Sequence, residues 1–168
     1  NNPYYDTARR LLAVSNSNYP SVLEMYSLVI SRLTDETTKN SYQSKLNDLK
    51  TKIINLGVSI SQDNTINVIS LSSNEYYQNA IISYQNVVDK YQDSKDNGIE
   101  LAPRALNRIA GIYEYNLYDI PKAIESYRTL LTKFANTNYV KSEADTINQQ
   151  ISILQNSQNY DINTEQVV

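Results

Sequence analysis

Cysteine, histidine and tryptophan are absent from this chain, and phenylalanine and methionine occur once each. Without a thiol or an imidazole, cysteine- and histidine-based catalysis is excluded, as are most zinc sites. The three glycines, Gly57, Gly98 and Gly111, cannot build a phosphate-cradling loop. No apolar run approaches the ~20 residues that cross a bilayer as a helix, so direct membrane insertion by these residues is not expected. Basic residues are not in excess: 15 Lys and Arg face 18 Asp and Glu, for a net charge of −3. A general nucleic-acid binder would carry the opposite balance, concentrated on one face. The lack of cysteine fits an exported protein and a cytosolic one equally.

What is present is an ordinary folding composition. The chain has 168 residues, 40% of them apolar, enough for one large domain or two small ones with a real core. The bias towards Asn, Ile, Lys, Ser and Tyr, including 15 tyrosines, matches the codon usage of an AT-rich genome. The first residues are Asn1-Asn2-Pro3 with no initiator Met. The expectation is therefore a mature or excised fragment, with any export signal or lipid anchor lying upstream.

Nearly every segment carries helical periodicity. Tyr4, Ala8, Leu11 and Leu12 step through a first helix that Pro3 opens and that ends near Asn16. Ser17-Asn18-Tyr19-Pro20 reads as a turn, followed by a helix through Val22, Leu23, Tyr26, Val29, Ile30 and Leu33. Thr34 or Asp35 is placed to cap a long third helix. In it Tyr42, Leu46, Leu49, Ile53, Leu56 and Ile60 recur at steps of three and four, a coiled-coil-like seam. The pattern breaks at residues 61–65, and Asp63 or Asn64 could cap a short helix through Ile66, Val68, Ile69 and Leu71.

Asn74 reads as the cap of a helix through Tyr77, Ala80, Ile81, Tyr84, Val87, Val88 and Tyr91. The polar stretch from Gln92 to Glu100 reads as the main exposed loop. Pro103 opens a helix to about Asn116, and Pro121 opens another to about Ala135 after a tight turn at Tyr118-Asp119-Ile120. The last helix runs from Tyr139 to about Gln155, with Val140, Ala144, Ile147, Ile151 and Leu154 inward. Beyond Asn156 the apolar period is lost, and an extended tail or linker is expected over 158–168.

Two patterns within this series stand out. Leu106, Ile109, Ala110 and Tyr113 form one stripe, and Ala123, Tyr127, Leu130 and Leu131 form a facing one. Ala110 and Ala123 would let two helices of a hairpin approach closely. The second pattern is an internal repeat. A shift of 43 positions lays Ala80, Ile81, Ser83, Tyr84, Val87, Val88, Lys90 and Tyr91 on Ala123, Ile124, Ser126, Tyr127, Leu130, Leu131, Lys133 and Phe134. Five of these pairs are identical and three conservative, the signature of a helical repeat array.

On these residues, the segment from Asn74 to Leu154 resembles the tetratricopeptide repeats of bacterial periplasmic and outer-membrane-associated proteins. It is most similar in wording to the BamD-type assembly lipoproteins and the Tol-associated cell-division coordinators. Lys133-Phe134-Ala135 and Lys90-Tyr91-Gln92 depart from that wording, since both lack the proline that follows the aromatic residue. A weaker resemblance is to outer-membrane-integrity virulence lipoproteins of spirochaetes. The resemblance implies a tetratricopeptide-like helical-hairpin superhelix over 74–157. For 1–73, which the resemblance does not cover, the helical periodicity itself points to an N-terminal three-helix bundle running into it, so the expected fold is all-α.

In such arrays the first helix of each hairpin lines a concave groove that takes extended peptides or helices. Carried onto this chain, the resemblance implies a protein-binding groove of Arg104, Asn107, Arg108, Gly111, Glu114 and Tyr115, with Ser142, Asp145 and Gln149 added by the last helix. Arg and Tyr are favoured interface anchors. Tyr84, Tyr113 and Tyr127 occupy core repeat positions, whereas Tyr115, Tyr118 and Tyr139 are the surface candidates.

Other motifs weigh less. The stretch from Asp93 to Glu100 superficially fits a calcium loop, but Lys95 stands third and Arg104 twelfth, where acids are required. Asp35-Glu36 or Glu114 with Glu125 could be posed as a glycosidase pair, yet nothing fixes two acids at the separation that chemistry needs. Arg9-Arg10 and Lys45, Lys50 and Lys52 read as solvated faces. The expectation is thus a non-catalytic interaction scaffold of the bacterial cell envelope, without metal or cofactor. It would be periplasmic or outer-membrane-associated, and would support outer-membrane integrity or cell division through another envelope protein. The alternatives are a spacer that self-associates weakly along Tyr42–Ile60 and a peptidoglycan-binding module.

Overall fold

The computed structural model describes residues 2–57 and 73–165. Among them the chain is all-α, with seven helices and one very short antiparallel hairpin. The break at 61–65 and the helix through Ile66 to Leu71 lie outside the described residues, as do the side chains of Leu56 and Ile60. None of the described helices is long and apolar enough to cross a membrane. The chain divides into two compact units, residues 3–83 and 84–168, with the division inside one helix.

In the first unit, helices α1 (Pro3–Asn16), α2 (Tyr19–Arg32) and α3 (Glu36–Gly57) pack mutually. Pro3 opens α1, where a missing N–H costs nothing. The Ser17 hydroxyl closes α1 by donating to the Val14 carbonyl (2.6 Å), and Asn18 turns the chain through φ 62°. Asn tolerates that left-handed region better than most residues. Asp35 is the cap of α3: the Thr38 backbone N–H donates to its Oδ2 at 2.8 Å. Hydrogen bonds from Thr38 hold the Asp35 carboxyl below the usual carboxylate range.

The core of this unit is built by Tyr5, Ala8, Leu11 and Val14 of α1 and by Leu46, Leu49 and Ile53 of α3. It is completed by Tyr76, Ala80 and Ile81 of α4 (Ser73–Lys90). The inward face of α1 is rotated slightly from the expected one, with Tyr5 buried and Tyr4 and Leu12 half-buried. Leu46, Leu49 and Ile53 are buried inside the unit, so that part of the seam packs against its own chain. Helix α2 lies shallower: only Pro20 is buried, and Met25 and Leu28 are each 51% exposed. Tyr76 is 1% exposed, and burial pushes its hydroxyl pKa from 10.0 up to about 12.

The second unit holds the end of α4, then β1 (Lys95–Asp96), β2 (Ile99–Glu100), α5 (Leu101–Tyr115), α6 (Ile120–Lys133) and α7 (Asn138–Glu165). Its hairpin replaces the exposed loop expected at Gln92–Glu100. Asn97 (φ 51°) and Gly98 (φ 80°) are both left-handed, as a two-residue type I′ turn requires. Lys95 then pairs with Glu100 and Asp96 with Ile99.

Helix α5 begins directly after β2, so Pro103 sits in its first turn rather than at its first residue. Among the described residues α5 and α6 make the most extensive helix–helix contact. Ala110 and Ala123 are both fully buried, with Leu106, Ile109, Tyr127 and Leu130 around them. That is the close approach which the two small residues permit. Between the helices Tyr118 takes φ 53°, and Asp119 caps α6 by accepting the Lys122 N–H at 3.2 Å. The Lys122 ammonium, 2.8 Å from Asp119 Oδ2, holds that carboxyl below its ordinary range. Tyr113, expected in the core, is only half-buried, with the Lys122 ammonium of α6 over its ring, 5.4 Å from the centroid.

The internal repeat is also a repeat of burial. Ala80 and Ala123 are 0% exposed, Tyr84 and Tyr127 are 0% and 6%, and Val87 and Leu130 are both 0%. Helix α7 buries Val140, Ile147, Ile151 and Leu154 and continues to Glu165, where an extended tail was expected after Asn156. Neither proline nor glycine follows Pro121. Loss of apolar period removes a packing face but does not by itself break the backbone ladder.

Candidate binding cleft

The first turn of α7 is where the second unit organises its surface. A helix start leaves four backbone N–H groups without intrahelical partners. Here all four are satisfied. Glu100, at the end of β2, accepts from Asn138 N (3.3 Å) and Tyr139 N (2.9 Å) through its two carboxylate oxygens. Thr137 Oγ1 accepts from Val140 N (3.2 Å), and the N–H of Thr137, the cap residue, donates to the Phe134 carbonyl (3.0 Å). Placing a carboxylate at the positive end of the helix adds a favourable charge–dipole term.

A second bond fixes α5 to α7: the Asn107 side-chain amide donates to the Tyr139 hydroxyl at 2.7 Å. Between the hairpin tip, α5 and the start of α7 lies an open cleft of about 510 Å³. Gly98, Ile99 and Glu100 form its first wall, Arg104 its second, and Asn138, Tyr139 and Ser142 its third. Nothing lies within 4 Å of the position a Cβ would take on Gly98, so its φ, not crowding, calls for glycine there. The Ser142 hydroxyl donates to the Tyr139 carbonyl (2.9 Å), which leaves its oxygen as an acceptor. The chemistry on offer is one guanidinium, a hydroxyl acceptor and apolar surface from Ile99 and the Tyr139 ring. That set suits binding. Among the described residues no cluster of three Asp or Glu side chains is placed to hold a metal ion.

The nine groove residues read from sequence divide in the structure. Arg104 and Ser142 line the cleft, and Asn107 holds its Tyr139 wall. Arg108 is exposed one turn further along α5. Gly111 is half-buried, and an added Cβ would meet only a Tyr115 ring carbon at 4.0 Å. Asp145 and Gln149 are exposed on α7, beyond the residues that line the cleft. Tyr115 is 62% exposed and also lies outside it; its hydrogen bond to Glu114, then burial, raises its pKa.

Glu114 is the correction. Expected on an open groove, it is 7% exposed and joins three helices. The Tyr127 hydroxyl of α6 donates to its Oε2 at 2.8 Å, and the Gln150 amide of α7 donates to its Oε1. Helix α5 is covered on two sides, so a residue on the far side of the hairpin stripe still faces protein. Burial, followed by the bond to Glu114, raises the Tyr127 pKa. Glu100, Ile99, Gly98 and Asn138 were missed as cleft residues. The Asn97-Gly98 dipeptide was the signal that a hairpin, and hence a wall, stood there.

The described residues thus form an all-α fold with one short hairpin, and the second unit carries an open cleft. Comparison with protein-family models, with curated proteins and with solved structures finds no match in any of the three.

Proposed function

We propose that this chain is a non-catalytic protein–protein interaction scaffold, and that the cleft between the hairpin tip, α5 and α7 is its docking site. The observation that carries the reading is the braced start of α7. Four satisfied amides and the Asn107–Tyr139 bond hold the third wall of an open cleft, into which Arg104 and Ser142 project. A preorganised wall lowers the ordering cost of binding. The partner is another envelope protein, and the setting is the periplasm or outer membrane of a bacterium, in support of outer-membrane integrity or cell division. That setting rests on the tetratricopeptide resemblance of residues 74–154.

The test is site-specific photo-crosslinking in envelope extract, with the reactive group at Ser142 and a control at Glu125 on the exposed face of α6. A discrete adduct formed from Ser142 alone, and lost in Arg104→Glu, supports the reading. Equal labelling from both positions removes the cleft as the docking site.

A further inference from the structure

We propose that the exposed face of α2 is a self-association surface. Two copies pair through it with their α2 helices antiparallel, Leu28 on the two-fold axis, and Glu24 of each copy on Arg32 of the other. Helix α2 lies shallow in the first unit, with Val22, Leu23, Tyr26, Val29 and Ile30 half-buried. Met25 and Leu28, each 51% exposed, stand away from that face. Single exposed apolar side chains are ordinary on a protein surface. The charges beside these two are what distinguish this one. Glu24 and Arg32 are the only Asp, Glu, Lys or Arg side chains on α2, and both are exposed. Each stands four residues from Leu28, one before it and one after it. Residues four apart share a helix face, so the order along this face is acid, leucine, base. Neither charge forms an ion pair with a described residue. Eight residues of helix hold them about 12 Å apart along the axis, too far to pair within one copy.

A two-fold axis through Leu28, perpendicular to the helix, brings the position four residues before Leu28 level with the position four residues after it in the partner. Each Glu24 therefore meets an Arg32, twice over, around a centre made by Leu28 and Met25 of both copies. A parallel pairing would set Glu24 beside Glu24 and Arg32 beside Arg32, so like charges select against it. The flank of the face does not oppose contact. Ser27 and Ser31 donate their hydroxyls to the Leu23 (2.9 Å) and Leu28 (2.7 Å) carbonyls of their own helix, so neither donor is orphaned when water leaves. The contact is isologous, the commonest form in homo-oligomers. It is not the seam that the periodicity of α3 suggested, since Leu46, Leu49 and Ile53 are buried in the core of their own unit. The cleft, built entirely from the second unit, takes no part. One helix pair falls short of the roughly 800 Å² per partner of a standard interface, so the association is weak and emerges as concentration rises.

The experiment is sedimentation velocity of the full chain between about 10 µM and about 1 mM. The weight-average sedimentation coefficient should climb from the monomer value towards the dimer value. Leu28→Glu puts two carboxylates on the axis and should raise the concentration of half-association at least tenfold; unchanged far-UV circular dichroism checks that its helices remain. The charge pairing is read by exchange. Glu24→Arg and Arg32→Glu should each weaken self-association about tenfold, because each sets like charges opposite one another. Mixed in equal amounts, these two variants should associate as the parent does, since each supplies the charge the other lacks. The double variant E24R/R32E should recover the parent's behaviour on its own. A sedimentation coefficient that does not change with concentration overturns the proposal, and a photo-crosslink from position 28 to a different protein in envelope extract would then give the face to that protein. Association that survives Leu28→Glu overturns α2 as the surface. Loss in Leu28→Glu without recovery in the mixture overturns the antiparallel pairing.

Discussion

Glu114 offers the sharpest quantitative test, because one carboxylate ties three helices together. In Glu114→Ala the Tyr127 hydroxyl, on a side chain only 6% exposed, loses its acceptor with little access to water. An unsatisfied buried hydroxyl costs about 1–3 kcal/mol. Gln150 is half-buried and can turn part of its amide to solvent, so its loss adds about 0.5–1 kcal/mol. Relief from burying a carboxylate offsets part of this. The net destabilisation expected is about 2–3 kcal/mol. Tyr127→Phe removes the donor instead and should cost about 1.5–3 kcal/mol, the worth of a hydrogen bond to a charged group. The decisive variant is the double one. Once Glu114 is gone, the Tyr127 hydroxyl is an orphan, and replacing it with a hydrogen atom should cost nothing or recover stability. The cycle should therefore show a coupling of about 1.5–3 kcal/mol. Urea unfolding followed by far-UV circular dichroism measures each corner, with the slope checked for constancy. Additive single effects, with coupling below about 0.5 kcal/mol, would refute the claim that this carboxylate is the shared acceptor.

Three further outcomes follow from local geometry. Tyr118→Gly should stabilise the protein by about 0.5–1 kcal/mol: the left-handed conformation costs an L-residue about 1–2 kcal/mol, glycine returns part of that as chain entropy, and Tyr118 is 78% exposed. A loss of stability in urea would show that the ring carries packing. Gly111→Ala should also stabilise, by about 0.5–1 kcal/mol, since the site is helical and the new methyl meets only ordinary contact; a lowered urea midpoint would contradict the open space found there. Tyr76 contributes to the alkaline limb, alongside Tyr127, whose hydroxyl pKa burial also pushes up. The folded pKa of Tyr76, about 12, lies above the ordinary 10.0, so the unfolded chain ionises first. The contribution of Tyr76 is fully present below pH 10 and is lost as pH rises towards 12, at about 1.4 kcal/mol per pH unit. Stability of Tyr76→Phe measured across that window should fall less steeply than that of the parent; parallel curves would exclude Tyr76 as a contributor.

The helices were legible because their signals are local. Pro3 and Pro121 mark helix starts, Asp35 caps α3 as one of the two residues placed to do so, and the Ala110–Ala123 approach is written in side-chain size. Tyr19 and Pro20, read as turn, instead open α2, where proline is tolerated. What escaped was set by tertiary structure. Two-residue strands are shorter than any detectable period, so the Lys95–Glu100 hairpin looked like polar loop. A helical wheel built from one hairpin shows a single buried face, and so leaves Glu114 outside; α7 supplies the second cover. For the cleft, the α5 side was readable as Arg104 and Asn107, but the bond from Glu100 to the α7 amides joins residues 38 and 39 positions apart. No spacing rule connects them.

That long bond also bears on the order in which the unit is assembled. The α5–α6 hairpin closes over a short span, and such local contacts form early and cheaply in chain entropy. Glu100 can meet α7 only once α5 and α6 have returned the chain across 38 residues, so its contribution is expected on the far side of the folding barrier. Weakening it would leave the rate of folding largely intact and shorten the lifetime of the native state. One carboxylate at the start of α5 thus acts less as a brick in the structure than as its latch, and the cleft exists for as long as that latch stays shut.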